Sequence, residues 1–168
     1  MDGDARVILG LDPGIAITGY GLVRYDGNTL TAMDYGVITT PAHTPLPVRL
    51  RTIYHELTAL VARHRPTETA VEELFFARNV RTALAVGHAR GVILLALAEV
   101  GLPVHEYTPL QVKQAVVGYG QGTKQQVQEM VRMLLDLDAI PQPDDAADAL
   151  AVAICHAHSA RLAALLGE

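Results

Sequence analysis

The chain is poor in the residues that brace small secreted proteins: it has one cysteine, no tryptophan and two phenylalanines in 168 residues. A single cysteine excludes an intramolecular disulfide framework and suits a reducing compartment, with Cys155 expected as a small buried hydrophobe on a helix. No uninterrupted apolar run exceeds the seven residues of Val92 to Ala98, far short of a bilayer span. The opening Met1-Asp2-Gly3-Asp4 is acidic, with no basic region ahead of an apolar stretch. No secretory signal is expected, and a cytoplasmic location follows. The glycine-rich stretch Gly118 to Gly122 lacks the GxxxxGK[ST] pattern of a nucleotide-binding P-loop.

Half the residues are apolar and 18% are charged, which places the chain among globular proteins, and one domain over residues 1–168 is expected. The net charge of −5 argues at first against a nucleic-acid partner. Between Arg49 and Lys124, however, nine basic residues face six acidic ones, and local patches rather than the total set contact with phosphate. Bound divalent cations would cancel most of the remaining charge.

Val7–Leu11 is an apolar run ended by Pro13-Gly14 and reads as a central strand. Thr18–Arg24 and Leu30–Thr39 flank Tyr25-Asp26-Gly27-Asn28, a hairpin signal. Val48 to Val61 carries apolar residues at helical spacing and ends before Pro66. A strand over Thr69–Phe75, a helix over Thr82–Val100 and a strand over Val104–Tyr107 follow. Helices are expected at Pro109–Val117, at Thr123–Leu137 and from about Asp144 to Leu166. Three antiparallel strands followed by alternating helices and strands imply an α/β fold, a mixed five-stranded sheet covered by helices on both faces. Ligands of such sheets gather at the carboxyl ends of the parallel strands.

Three acidic marks stand at or beside apolar segments: Asp12, the pair Glu72-Glu73, and Asp144-Asp145-Ala146-Ala147-Asp148. Carboxylates stay in such places when they are paired or bind metal. Magnesium prefers oxygen ligands, and two such ions can activate water and stabilise the leaving oxygen of a phosphodiester. Asp145 and Asp148 are three apart on one helical face, but Asp144 and Asp148, four apart, serve as well by spacing. Taken alone, an acidic pair opening a helix is more often a cap, and Asp-Pro-Gly more often a turn. Spacing leaves both Glu72 against Glu73 and Asp144 against Asp145 open.

Five ordered motifs carry a resemblance. They are Leu9-Gly10-Leu11-Asp12-Pro13-Gly14 with Thr18-Gly19-Tyr20-Gly21, Ala70-Val71-Glu72-Glu73-Leu74-Phe75, and Gly87-His88-Ala89-Arg90-Gly91-Val92. Gln111-Val112-Lys113-Gln114 with Val116-Val117-Gly118, and Ala146-Ala147-Asp148-Ala149-Leu150-Ala151, complete the set. Together, over about Val7 to His158, they closely resemble the RuvC family of bacterial Holliday-junction resolvases. The resemblance implies a ribonuclease H-like fold, a homodimer, two magnesium ions per site with manganese as an alternative, and nicking of two opposed strands of a four-way DNA junction. It implies a branch-migration complex of the RuvA and RuvB type as partner. It selects Asp12, Glu72, Asp145 and Asp148 as catalytic, metal-holding acids, with Asp12 shared between the ions and Asp144 an extra acid beside the usual pattern.

The resemblance also assigns Phe75 to an unpaired or distorted base, and Lys113 and Lys124 to the neighbourhood of the scissile phosphate. Arg78 and Asn79, with Arg81, follow Phe75 and are candidate phosphate contacts, although a solvated loop has the same composition. Gly87-x-x-x-Gly91 permits close backbone approach, either to the domain's own sheet or across a dimer interface. The histidines His88, His105, His156 and His158 read as incidental; His156 and His158 are two apart on a helix and do not share a face, so no zinc site is expected.

Overall fold

The computed structural model describes residues 5–73, 79–118 and 122–168. Strands β1 (Arg6–Asp12), β2 (Ile17–Tyr25) and β3 (Leu30–Thr39) precede helix α1 (Leu46–His64), strand β4 (Glu68–Glu72) and helix α2 (Val80–Glu99). Strand β5 (Val104–Tyr107) and helices α3 (Pro109–Val117), α4 (Lys124–Leu134) and α5 (Asp144–Leu166) complete the chain. The element order is the expected one. Strand β4 ends at Glu72, short of the expected Phe75, and Leu74 and Phe75 lie outside the described residues. Helix α4 stops at Leu134 because Asp136 turns to φ 52° and the Leu137 N–H returns to the Arg132 carbonyl. Helix α1 starts earlier than its apolar periodicity, since proline is tolerated in a first turn.

The five strands form one sheet in the order β3-β2-β1-β4-β5. The hairpin strands pair antiparallel, while β1, β4 and β5 are parallel, with Leu11 beside Val71 and Glu72 beside Tyr107. Strand alternation sorts the side chains into two cores. Leu9, Leu11, Leu22 and Val71 pack with Ile53 and Leu57 of α1 and Ile93 and Leu97 of α2. Ile8, Val23 and Ala70 pack on the other face with α3, α4 and α5 through Val112, Val116, Val131, Leu150 and Ile154. This makes the expected mixed sheet with helices on both faces.

Helix α5 lies unusually close to the sheet. A Cβ on Gly10 would fall 2.2 Å from the Ala149 carbonyl oxygen, and one on Gly19 only 2.0 Å from that of Asp145. Both obstacles are backbone, which cannot swing aside as a side chain can. Gly19 stands opposite Asp12 in the β1–β2 register, so the glycine that admits the first turn of α5 sits beside the acid ending β1.

By length and apolar composition alone, α2 and α5 would each suffice to cross a bilayer. In α5 these residues form the core, with the run from Ala149 to Ala157 buried throughout. In α2 they are divided between the core and an exposed stripe. Overpacking a close-packed core costs about 1–3 kcal/mol. Gly10→Ala should fall at the upper end, lowering the melting temperature by about 6 °C or more. Gly19→Ala should do the same and also disturb the acids. A melting temperature unchanged by both would show that α5 does not depend on the close approach.

Candidate functional site

Alternation along β1 turns Ile8, Gly10 and Asp12 toward α5, as alternation along β4 turns Ala70 and Glu72. The parallel β1–β4 register, carried one residue past Leu11 and Val71, sets Asp12 beside Glu72. The turn after Asp12 is fixed by Thr18, whose buried hydroxyl donates to the Gly14 carbonyl at 2.6 Å and accepts the Gly14 N–H at 3.3 Å. The end of β4 is held by Arg90 of α2. Its guanidinium donates to the Glu72 carbonyl oxygen at 2.7 Å and also pairs with Glu106.

Helix α5 supplies the other acids. Its N-cap is Pro143, without a side-chain capping bond, so neither Asp144 nor Asp145 has the capping role an isolated acidic pair suggests. Carboxylate oxygens of Asp12, Asp145 and Asp148 lie within 4.8 Å of one another. Asp144 is directed elsewhere: it accepts from Gln128 Nε2 at 3.1 Å and lies 3.3 Å from Lys124 Nζ. Lys124 Nζ is also 3.8 Å from Asp148. Helix α4 starts beside the acids because Thr123 caps it, accepting from Gln126 N–H while the Gln126 side chain accepts from Thr123 N–H. A cleft of about 230 Å³ lies between Glu72, Lys113, Lys124 and Asp148.

The electrostatics of this cluster are those of anions gathered without enough positive charge. Burial pushes Asp12 up to about 8, helped by the charges of Glu72 and Asp148, a hydrogen bond to Glu72, and Asp145. Burial also raises Glu72, against the hydrogen bond with Asp12 and the nearby Lys113, which favour its charged form. Burial raises Asp148, partly offset by Lys124. Burial and mutual repulsion thus disfavour ionising Asp12 and Glu72 together. The donors are all hard carboxylate oxygens in a partly solvated cleft, which fits a divalent ion such as magnesium.

Among the expected DNA contacts, Lys113 and Lys124 border this cleft. Asn79 caps α2, its Oδ1 accepting the Arg81 N–H at 2.9 Å. Phe75 and Arg78 lie outside the described residues. Arg90 and Thr18 were not singled out as site residues from the sequence, because their roles are backbone contacts to segments distant in sequence or to a turn. Gly91 was expected either to meet the sheet or to serve an interface. Among the described residues nothing lies within 4 Å of where its Cβ would be, so it does not pack on the sheet.

Because folding raises the Asp12 pKa above its ordinary value of 3.8, its stabilising protonation is complete below about pH 4 and lost as pH rises through about 8. In chelator, the melting temperature of the parent should fall relative to Asp12→Asn between pH 5 and 9, by several degrees. Parallel pH profiles for the two proteins would remove Asp12 as the titrating group.

The family model described as crossover junction endodeoxyribonuclease RuvC matches residues 8–156. The crossover junction endodeoxyribonuclease RuvC of Heliobacterium modesticaldum is 67% identical over 153 residues, covering 91% of this chain and 94% of that protein. The protein of the same name from Desulfitobacterium hafniense is 62% identical over 161 residues, covering 96% and 98%. The structure of Thermus thermophilus RuvC in complex with a Holliday junction substrate superposes with a TM-score of 0.89 at 40% identity, covering 94% of this chain and 96% of that one. The sheet, the placement of its helices and the extent of these matches agree: this chain belongs to the RuvC family of crossover junction endodeoxyribonucleases.

Proposed function

We propose that this chain resolves four-way DNA junctions, in recombination and repair, by paired symmetric nicks in two opposed strands. The observation that carries the reading is the convergence of Asp12, Asp145 and Asp148, with Glu72 beside Asp12, on a cleft edged by Lys113 and Lys124. Asp12, Glu72, Asp145 and Asp148 are the residues that would hold two magnesium ions, and manganese suits the same oxygen donors. Bound there, the ions supply an activated water and charge stabilisation of the leaving oxygen. A bound divalent ion would favour the ionised forms of Asp12 and Glu72, which burial and repulsion now disfavour. Lys124, tied to Asp144 and Asp148 in the free protein, is within reach to exchange those carboxylates for a DNA phosphate. Lys113 faces the same cleft and serves the same strand.

The partner for symmetric cutting is a second copy of this chain, joined through α2. Val80, Leu84, His88, Gly91 and Leu95 fall within about 80° on that helix at 100° per residue. All five are exposed, Val80 at 71% and Leu84 at 59%. Such a stripe of aliphatic residues with Gly91 and one histidine suits close two-fold packing of α2 against its copy, and a two-fold dimer matches the paired strands of a junction. Loading by branch-migration proteins of the RuvA and RuvB type, in the cytoplasm, completes the proposal.

Glu72→Gln should lower nicking of a synthetic four-way junction in magnesium by about 100-fold or more while junction binding survives. Cleavage at the parental rate would take Glu72 out of the mechanism. Linear duplex or RNA–DNA hybrid cut as readily as the junction would overturn the substrate class. The double substitution Leu84→Glu with Leu95→Glu should convert a sedimenting dimer to monomer without loss of helicity; an intact dimer would place the interface elsewhere.

A further inference from the structure

Strand alternation that turns Glu72 toward α5 also turns Glu68, four residues earlier and about 13 Å away at the opposite end of β4. His105 and Tyr107 of β5 face the same way, and His156 of α5 lies over them. Ligand atoms of Glu68, His105 and His156 lie within 4.8 Å of one another. These residues come from three elements, border a cleft of about 390 Å³ with Arg6, Tyr107 and Ser159, and take no part in the carboxylate cluster.

One nitrogen of the buried member has no hydrogen bond among the described residues. His156 is 4% exposed, and its Nδ1 is engaged by the Tyr107 hydroxyl at 2.7 Å. Its Nε2 lies 3.2 Å from Glu68 Oε2 without the alignment of a hydrogen bond, and the other oxygen, Glu68 Oε1, is likewise without one. Arg6 approaches Glu68 Oε1 only to 3.6 Å, from a side chain that is 46% exposed. Buried polar atoms are ordinarily satisfied, and two without a hydrogen bond within one group of potential ligand atoms suit a bound species between them. In the tautomer whose Nδ1–H donates to the Tyr107 oxygen, His156 presents its Nε2 lone pair to a metal, the arrangement by which proteins orient such ligands.

We propose that Glu68, His105 and His156 form a second cation site, for a zinc-class divalent ion, which joins α5 to β4 and β5 at the end of the sheet away from the carboxylate cluster. Two nitrogens and one carboxylate oxygen suit zinc, whose bonds of about 2.0–2.2 Å draw such atoms closer together, with a fourth position left to water from the cleft. The imidazoles of His105 and His156 now stack with centroids 4.2 Å apart and planes 25° apart. Stacked rings cannot both aim a lone pair at one ion, so binding turns the ring of His105, which is partly exposed and has no hydrogen bond among the described residues. His156 stays where Tyr107 holds it.

Zinc uptake by the full chain is measured by calorimetry and by metal analysis after dialysis, with magnesium in excess to occupy the acidic cluster. The expected result is one zinc per chain, a visible absorption spectrum of four-coordinate cobalt when cobalt replaces zinc, and a higher melting temperature. His105→Gln and Glu68→Gln should each weaken zinc binding by about 100-fold or more while melting like the parent in chelator. These two substitutions leave the buried His156 and its bond to Tyr107 in place. Asp12→Asn, in contrast, should retain the zinc. Absence of stoichiometric uptake in excess magnesium overturns the proposal, as does uptake lost in Asp12→Asn and kept in His105→Gln.

Discussion

The close approach of α5 to the β1–β2 hairpin is the constraint on which the site depends. Gly10 and Gly19 remove the Cβ atoms that would otherwise strike the carbonyl oxygens of Ala149 and Asp145. The first turn of α5 therefore descends next to Asp12, and acids from opposite ends of the sequence meet within a few ångströms. Larger residues at these glycines would lift the helix. The acids would then separate even if the fold survived.

Bringing like charges together costs stability, and the protein offsets this in several ways. Lys124 pairs with Asp144 and Asp148 across the cleft, while Lys113 favours the charged form of Glu72. The Asp12 carboxyl is held toward its neutral form by burial and by the charges of Glu72 and Asp148. Arg90 anchors the backbone at Glu72 without neutralising its carboxylate. The cluster therefore keeps more negative charge than its lysines balance, a condition that favours binding of a divalent ion.

The fold was largely legible in the sequence because its strands and helices carry clear periodicity and punctuation. Val7–Leu11 ended by Pro-Gly, the Asp26-Gly27 hairpin and the capped starts of α3 and α4 are local signals, and local signals survive folding. The ends of β4 and α4 were less legible. One depends on a neighbouring strand, where the Glu73 N–H donates to the Tyr107 carbonyl, and the other on a left-handed residue at Asp136. At the site, spacing could not separate Asp144 from Asp145, because the difference lies in what each meets: Asp145 faces Asp12, while Asp144 faces Gln128 and Lys124. The histidines show the same limit more plainly. His156 was weighed against His158, its neighbour in sequence, whereas the structure stacks it on His105, fifty-one positions earlier. Pairings between strands and helices distant in sequence leave no mark in a periodicity.

The manner in which α5 is seated also bears on how the molecule breathes. A helix held by interlocking side chains can loosen one residue at a time, as rotamers shift and water enters. Here the backbone of α5 rests directly on the backbone of the sheet at Gly10 and Gly19, with little between them to loosen. The amide hydrogens from Ala149 to Ala157, buried throughout, then belong to the part of the fold that opens last. On that basis Asp145 and Asp148 keep their places beside Asp12 for as long as the helix stays seated on the two glycines.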